Sequence, residues 1–256
     1  MPARLVPTNI PTERQCPVES EIEQRRIREV YARRKERIHA DRYSYFNPGN
    51  LVIEQELEGY FLSSLTKLGR APLRDKRILE VGCGSGPWLR NLIRWGAQPE
   101  NLVGVDLLEE RIEQARRLLP GSVCLTSGDA TNLAFPDGTF DLVFQFTMLS
   151  SVLDASVKRE IAMEMLRVLK PDGCIISYDL HVNNARNPDV RGIGKQEILR
   201  LFPNCATLFR RLTFLPPAAR ALGPVSPALC RLLSSVKIFS THYLAFILKR
   251  RQVSVG

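Results

Sequence analysis

Apolar positions change their spacing several times along the chain. Ile22, Ile27, Val30, Tyr31 and Ile38 recur at roughly helical spacing among charged residues, as do Leu51, Ile53, Leu57, Phe61, Leu65 and Leu68. Both stretches predict amphipathic helices. Beyond them, short apolar runs at 78–81, 102–105, 123–126, 140–146 and 174–180 predict strands, and helical spacing returns between them near 88–96, 109–119 and 157–169. A short helix is expected at 197–202, and strands six and seven at 206–214 and 242–248. Strands alternating with helices predict a largely parallel sheet covered on both faces, with ligand bound at the carboxyl ends of the strands.

Between the last two strands, residues 215–240 carry Pro216, Pro217, Pro224 and Pro227 with helical patches at 218–222 and 228–236. This insert is longer than a hairpin loop. It could wall an acceptor pocket, form a homodimer contact or touch a membrane surface. The proline-bearing residues 1–20 are expected to be loose, 21–70 to form a helical cap, 71–250 the core and 251–256 a tail.

Composition fits one globular domain: 256 residues, 44% hydrophobic. No run of about 18 apolar residues predicts a transmembrane helix, and the first residues lack the apolar stretch of a secretion signal. Six scattered cysteines, Cys16, Cys83, Cys124, Cys174, Cys205 and Cys230, include no Cys-x-x-Cys pair. They read as reduced thiols of a cytoplasmic protein, and no metal is expected. The net charge of +9 is uneven, with eight Lys and Arg between residues 25 and 42 interleaved with Glu29, Glu36 and Asp41. That is a solvated basic helix face, able also to attract an anionic partner.

The candidate chemistry lies at the strand ends. After Ile78-Leu79-Glu80-Val81 the chain reads Gly82-Cys83-Gly84-Ser85-Gly86, a Gly-x-Gly-x-Gly spacing that departs from the Gly-x-Gly-x-x-Gly of dinucleotide binders. An acid two residues before the turn suits a cofactor with an ammonium group better than a pyrophosphate. Twenty residues past Gly86, Asp106 ends a second apolar run, placed to accept both hydroxyls of a ribose. Leu107 and Leu108 could pack on a base, and Asp129 in Ser127-Gly128-Asp129-Ala130 could accept from an exocyclic amine. Ammonium, ribose and adenine together describe S-adenosylmethionine.

The blocks at 80–86, 105–106, 128–130 and 140–143, with Leu166-Arg167-Val168-Leu169-Lys170-Pro171-Asp172-Gly173, resemble the class I S-adenosylmethionine-dependent methyltransferases, in particular the type-11 group that includes ubiquinone and menaquinone methyltransferases. The resemblance covers roughly residues 73–180. It implies an α/β, Rossmann-like seven-stranded sheet whose last strand runs antiparallel, with an N-terminal helical cap over the cofactor and the helical insert before the last strand. On that likeness Gly82, Cys83, Gly84 and Gly86 would cradle the methionine part and Glu80 would assist its ammonium. Asp106 would hold the ribose and Asp129 and Ala130 the adenine, on whose face Leu107 could pack, while Gln145 and Phe146 border the sulfonium. The cap would bring Tyr43, Tyr45 and Phe46 near cofactor or acceptor.

For a general base the candidates are His181 and Asp179, at the end of the fifth strand, then Tyr178 and His242. The Asn/Asp-Pro-Pro-Tyr/Phe signature of amine methylation is missing after the fourth strand, where Gln145-Phe146-Thr147-Met148 stands. Asn183, Asn184, Arg186, Asn187 and Arg191 form a polar, cationic stretch suited to hydroxylated or anionic acceptors. The leading expectation is therefore O-methylation of a small hydroxylated acceptor, such as a glycan sugar unit or a natural-product intermediate. The alternatives are C-methylation of a quinone or isoprenoid precursor, methylation of RNA, and an inactive cofactor-binding partner subunit. Nucleic acid is not the expected partner.

Overall fold

A computed structural model of the chain describes residues 18–37, 40–183 and 187–249. The expected loose stretch up to residue 17, Cys16, Ile38, Asn184, Arg186 and the tail from 251 lie outside these. In chain order the elements are α1 (Val18–Arg37), α2 (Pro48–Lys67), β1 (Ile78–Val81), α3 (Pro87–Arg94), β2 (Leu102–Asp106), α4 (Glu109–Leu118) and β3 (Cys124–Ser127). Then come β4 (Phe140–Phe146), α5 (Ala155–Val168), β5 (Leu169–Leu180), α6 (Lys195–Leu201), β6 (Cys205–Phe214), α7 (Pro216–Leu222), α8 (Pro227–Ser235) and β7 (Ser240–Lys249).

The seven strands make one sheet in the order β3-β2-β1-β4-β5-β7-β6. The first five pair in parallel, and β7 runs antiparallel to both β5 and β6. The order reverses between β1 and its neighbours β2 and β4, which opens a crevice at the carboxyl ends of those strands.

Alternation along the strands divides the core in two. Ile78, Leu102, Leu142, Phe144, Ile176 and Phe246 face one side and pack with Phe61 of α2, Leu89 of α3 and Ile112 of α4. Leu79, Val103, Val143, Ile175, Ala245 and Ile247 face the other and pack with Ile161 and Met165 of α5 and Ile198 of α6. A central strand buried on both faces needs no polar position, and β1 and β2 are buried throughout. The insert adds a third, smaller cluster in which Ala219 and Cys230 pack with Val52 of α2 and Phe214 of β6.

Most boundaries fall within two residues of the sequence reading, and the starts of α1 and β5 differ by more. α1 starts at Val18, so residues 18–20 form its first turn, and Ser20 is buried. β5 starts at Leu169, five residues early: Leu169 pairs with Phe140 and Cys174 with Leu142, so Lys170-Pro171-Asp172-Gly173 is an irregularity within the ladder. Neighbouring backbone groups on both sides of Pro171-Asp172-Gly173 find partners on β4.

Candidate active site

The glycine turn joins β1 to α3 with Gly82 at φ 74° and Gly84 at φ 55°, a left-handed conformation that side chains disfavour. Space is as restrictive: a Cβ at Gly82 would lie 2.5 Å from Cγ of Met148, and one at Gly84 2.9 Å from the Arg111 guanidinium. The turn's own donors are engaged within the protein. The N–H groups of Gly82 and Cys83 both donate to the Val105 carbonyl (2.7 and 3.0 Å), that of Gly84 to Asp106 Oδ2 (2.8 Å) and that of Gly86 to the Cys83 carbonyl (2.9 Å). What the turn offers a ligand is therefore closely approachable backbone rather than those donors.

Beside it stand three acids of unlike character. Glu80 is buried, and its Oε2 has no hydrogen-bond partner among the described residues. Burial, then the charge of Asp106, hold its carboxyl well above the usual carboxylate range, with the Leu89 N–H and Arg111 opposing. Asp106 accepts from the N–H groups of Gly84 and Leu108, the latter at 3.0 Å, and so ties β2 to the turn and to the start of α4. Asp129 accepts from the Thr131 N–H (2.8 Å) and hydroxyl (2.6 Å).

These groups share a pocket of about 240 Å³ at the crevice. Of the residues expected there, Glu80, Gly82, Cys83, Gly84, Asp106 and Leu107 line it, as do Asp129, Ala130 and Phe146. Burial, followed by the charges of Glu80 and Asp106, pushes the Cys83 thiol far up, so it remains a neutral wall. Phe146 stacks on Trp88 with ring centroids 4.1 Å apart and planes 5° from parallel. Past Phe146, Thr147 holds φ 54°, unusual for a β-branched residue, while its N–H donates to the Tyr178 carbonyl (2.7 Å).

α1 supplies a wall that the residue patterns did not assign to the site. Glu23, Gln24, Ile27 and Tyr31 line the pocket, and Gln24 Nε2 donates to Asp129 Oδ2 at 2.8 Å. Asp129, the expected partner of an adenine amine, thus also anchors α1. Glu23 accepts from the Leu153 N–H (2.5 Å) and from Arg26 (2.8 and 2.9 Å), and Arg26 reaches the Ser151 carbonyl (2.5 Å). Burial raises the Glu23 pKa, but Arg26 and the backbone N–H groups outweigh it and the net direction is down. The Arg111 guanidinium lies 5.0 Å from the Tyr31 ring centroid and roofs Gly84. The one sequence signal for this wall was helical spacing, since positions 24, 27 and 31 share a face.

Other candidates stand elsewhere. Gly86 turns the chain behind the lining, where a Cβ would meet Leu119. Gln145 is fully buried: its Nε2 donates to Ser177 Oγ (2.6 Å) and its Oε1 accepts from the N–H groups of Met148 and Leu149. It shapes the loop after β4 and does not border the pocket. Tyr45 is exposed, beside Glu54 of α2 and outside the pocket. Neither proposed base reaches the lining. His181 Nε2 is hydrogen-bonded to the Ser240 carbonyl at 2.9 Å, its ring packs on Tyr243, and burial lowers its pKa. Asp179 is buried with Oδ2 accepting from the Ser150 N–H (3.0 Å) and Oδ1 from its neighbour Leu180 (2.9 Å). Burial lifts its pKa to about 6 against those hydrogen bonds. Tyr178 is bonded to Thr213 and stacked on His242, whose pKa burial lowers to about 3. The antiparallel β7, which sets Leu180 opposite His242, turns both histidines toward the strand pair rather than the crevice. Among the described residues no group of His, Cys, Asp and Glu could hold a metal.

The pocket fits S-adenosylmethionine. A buried carboxylate oxygen lacking a partner at Glu80 suits an ammonium donor, and an acid with spare lone pairs at Asp106 suits a diol. The glycine turn leaves room between them.

Residues 78–173 match a family described as a methyltransferase domain. Over 135 residues the chain is 30% identical to demethylmenaquinone methyltransferase of Lactobacillus johnsonii, covering 51% of this chain and 53% of that protein. It is 31% identical over 157 residues to ubiquinone biosynthesis O-methyltransferase of Thiobacillus denitrificans (59% and 63%). It is 33% identical over 112 residues to 2-methyl-6-phytyl-1,4-hydroquinone methyltransferase of a Synechocystis species (43% and 33%). The chain thus spans between a third and two thirds of these relatives' lengths. Among solved structures, an S-adenosylmethionine-dependent methyltransferase from Thermotoga maritima superposes with TM-score 0.56 at 18% identity, covering 88% of this chain and 99% of that one. The PH0226 protein of Pyrococcus horikoshii does so with TM-score 0.54, also at 18% identity, covering 76% and 89%. Both likenesses bear on the fold.

Proposed function

We propose that this chain, which carries a methyltransferase domain of the class I, S-adenosylmethionine-dependent kind, methylates a hydroxylated aromatic acceptor with an apolar body, of the prenylated hydroquinone type. The observation that carries this reading is that, among the described residues, the pocket lining holds no histidine and each of its acids is either engaged within the protein or suited to the cofactor, which leaves none for a general base. Glu80 would take the ammonium and Asp106, which accepts from two backbone N–H groups, the ribose diol; Glu23 is held by Arg26, and Asp129 by Thr131 and Gln24.

S-adenosylmethionine supplies a methyl group on a cationic sulfur. The chain's part is to align the acceptor behind that methyl and keep water out. A sugar hydroxyl, the acceptor first expected, ionises so weakly that it asks for a general base. A phenolic hydroxyl ionises at about 10 and spreads its charge over oxygen and ring carbons, so the ionised fraction of the acceptor enters the site as the nucleophile, its proton already left in solvent. Either oxygen or carbon of such a ring can attack, the sulfur–methyl bond breaking to leave a neutral thioether. Attack through carbon is completed when the ring proton passes to the phenolic oxygen or to water after release and the ring becomes aromatic again. The names of the relatives, two quinone-pathway enzymes and a phytyl-hydroquinone methyltransferase, agree with this class. The Trp88–Phe146 stack gives it an aromatic wall.

The test offers methyl-labelled S-adenosylmethionine to the purified chain with a prenylated hydroquinone in detergent and, separately, a glycoside. Label should enter the hydroquinone, and electron-withdrawing ring substituents should shift the pH–rate profile to lower pH. A methylated glycoside beside an inert hydroquinone would overturn the reading.

A further inference from the structure

α8 has two unlike faces. Cys230 and Ser234 are buried, on a helix that packs against α2 and β6. On the outer side Leu229 and Leu232, three residues apart, share one helix face, and the exposed Val225 and Val236 flank the helix at its two ends. Val225 and Leu232 are 80% and 64% exposed, and Ile238 in the following turn is 78% exposed beside Phe239. A monomer rarely leaves so many contiguous aliphatic residues in water without a partner.

Charge says what kind of partner. Residues 198–256 contain nine Lys and Arg and no Asp or Glu, whereas residues 1–197 balance at 27 of each. Three of those nine, Arg220, Arg231 and Lys237, lie in the insert itself. Glu56 of α2 is paired with Lys237 at 2.8 Å, and Arg231 on α8 is exposed and donates to the neutral Gln55. Next to the insert, the loop before α2 presents Tyr43, Tyr45 and Phe46 to solvent. Asn47 donates to the Arg220 carbonyl of α7 (3.1 Å) and Arg220 donates to Asn50 (2.9 Å), which fixes that loop beside the insert. Exposed aliphatic residues, amphipathic aromatics and an insert with three cations and no acid of its own are the composition of a surface that enters the headgroup region of an anionic bilayer.

We infer that the insert, led by the outer face of α8 and Ile238, docks this protein on anionic lipid membranes as a peripheral protein. The inference stands apart from the acceptor reading, because binding to lipid is measured without turnover.

The test is co-sedimentation of the full chain with vesicles of phosphatidylcholine alone or with about 30% phosphatidylserine. Anionic vesicles should retain the protein at least about tenfold better than neutral ones, with retention falling as salt rises. The double variant Leu232→Asp, Ile238→Asp should lose about tenfold or more of that retention, since each side chain forfeits burial of a large aliphatic group. Unchanged melting temperature and calorimetric S-adenosylmethionine affinity would establish that this variant is folded. Equal retention of wild type and variant, or no preference for anionic vesicles, would overturn the inference. So would a wild-type dimer in light scattering that the variant abolishes, which would assign that face to a second copy. Salt-sensitive RNA binding with no vesicle binding would overturn it as well.

Discussion

Asp179 is the residue whose two readings diverge most, and its substitution by asparagine separates them. Its pKa of about 6 in the fold stands against about 3.9 in an unfolded chain. Between those values the native state holds a proton that the unfolded state has released, so stability falls as pH rises from about 4 to about 6. Below that window the effect vanishes, and above it the cost is constant. At about 1.36 kcal/mol per pH unit, it amounts to about 3 kcal/mol at neutral pH. The amide of the variant would carry no such charge but could accept only one of the two N–H groups, of Ser150 and Leu180, that Asp179 satisfies, at a cost of about 1–3 kcal/mol. Asp179→Asn should therefore be less stable than wild type at pH 4 and equal to it or more stable at pH 7. The stability difference should change by about 3 kcal/mol between those pH values. Urea denaturation at half-unit pH intervals reads this directly. A difference constant within about 1 kcal/mol would refute the argument. Because Asp179 lies outside the pocket lining, kcat/KM should change by less than about tenfold. A loss of about a hundredfold or more with cofactor affinity intact would restore it as the base.

Two further substitutions test the pocket. Glu80→Gln should weaken S-adenosylmethionine binding about 10- to 100-fold, the range of a charge-assisted hydrogen bond. It should also stabilise the ligand-free protein at neutral pH, because a buried carboxyl with a raised pKa stabilises least when ionised; calorimetry and urea titration check the two halves separately. Thr147→Gly should remove about 1 kcal/mol of left-handed strain and raise the melting temperature by a few degrees, and a lower melting temperature would show that the Thr147 side chain does more than ride on the loop.

The parts of the architecture set by local pattern were legible. β1, β2 and β4 are apolar runs closed by turn residues, and Gly82, Glu80 and Asp106 carry their placement in the spacing of strand and turn. α1 was legible as a helix, though its role was not. That Gln24 meets Asp129 across 105 residues of sequence is set by tertiary packing, and no motif marks Gln24. His181 shows the converse. Its place at the end of β5 was readable, but its ring is turned by pairing with β7, far later in the chain, and by the Ser240 carbonyl there. Tyr45 failed for a similar reason: the loop before α2 is clamped to α7, an element of the distant insert, rather than folded over the crevice.

The aromatic wall of the crevice gives the protein an optical signal of its own. The chain has two tryptophans. Trp88 lines the pocket against Phe146, and Trp95 lies 6.0 Å from Trp88 and 5.1 Å from Phe61 between ring centroids. All of the indole emission therefore comes from one aromatic cluster at the site, without a distant tryptophan to dilute it. Occupancy of the crevice can be followed in the native chain, with no dye, label or engineered reporter.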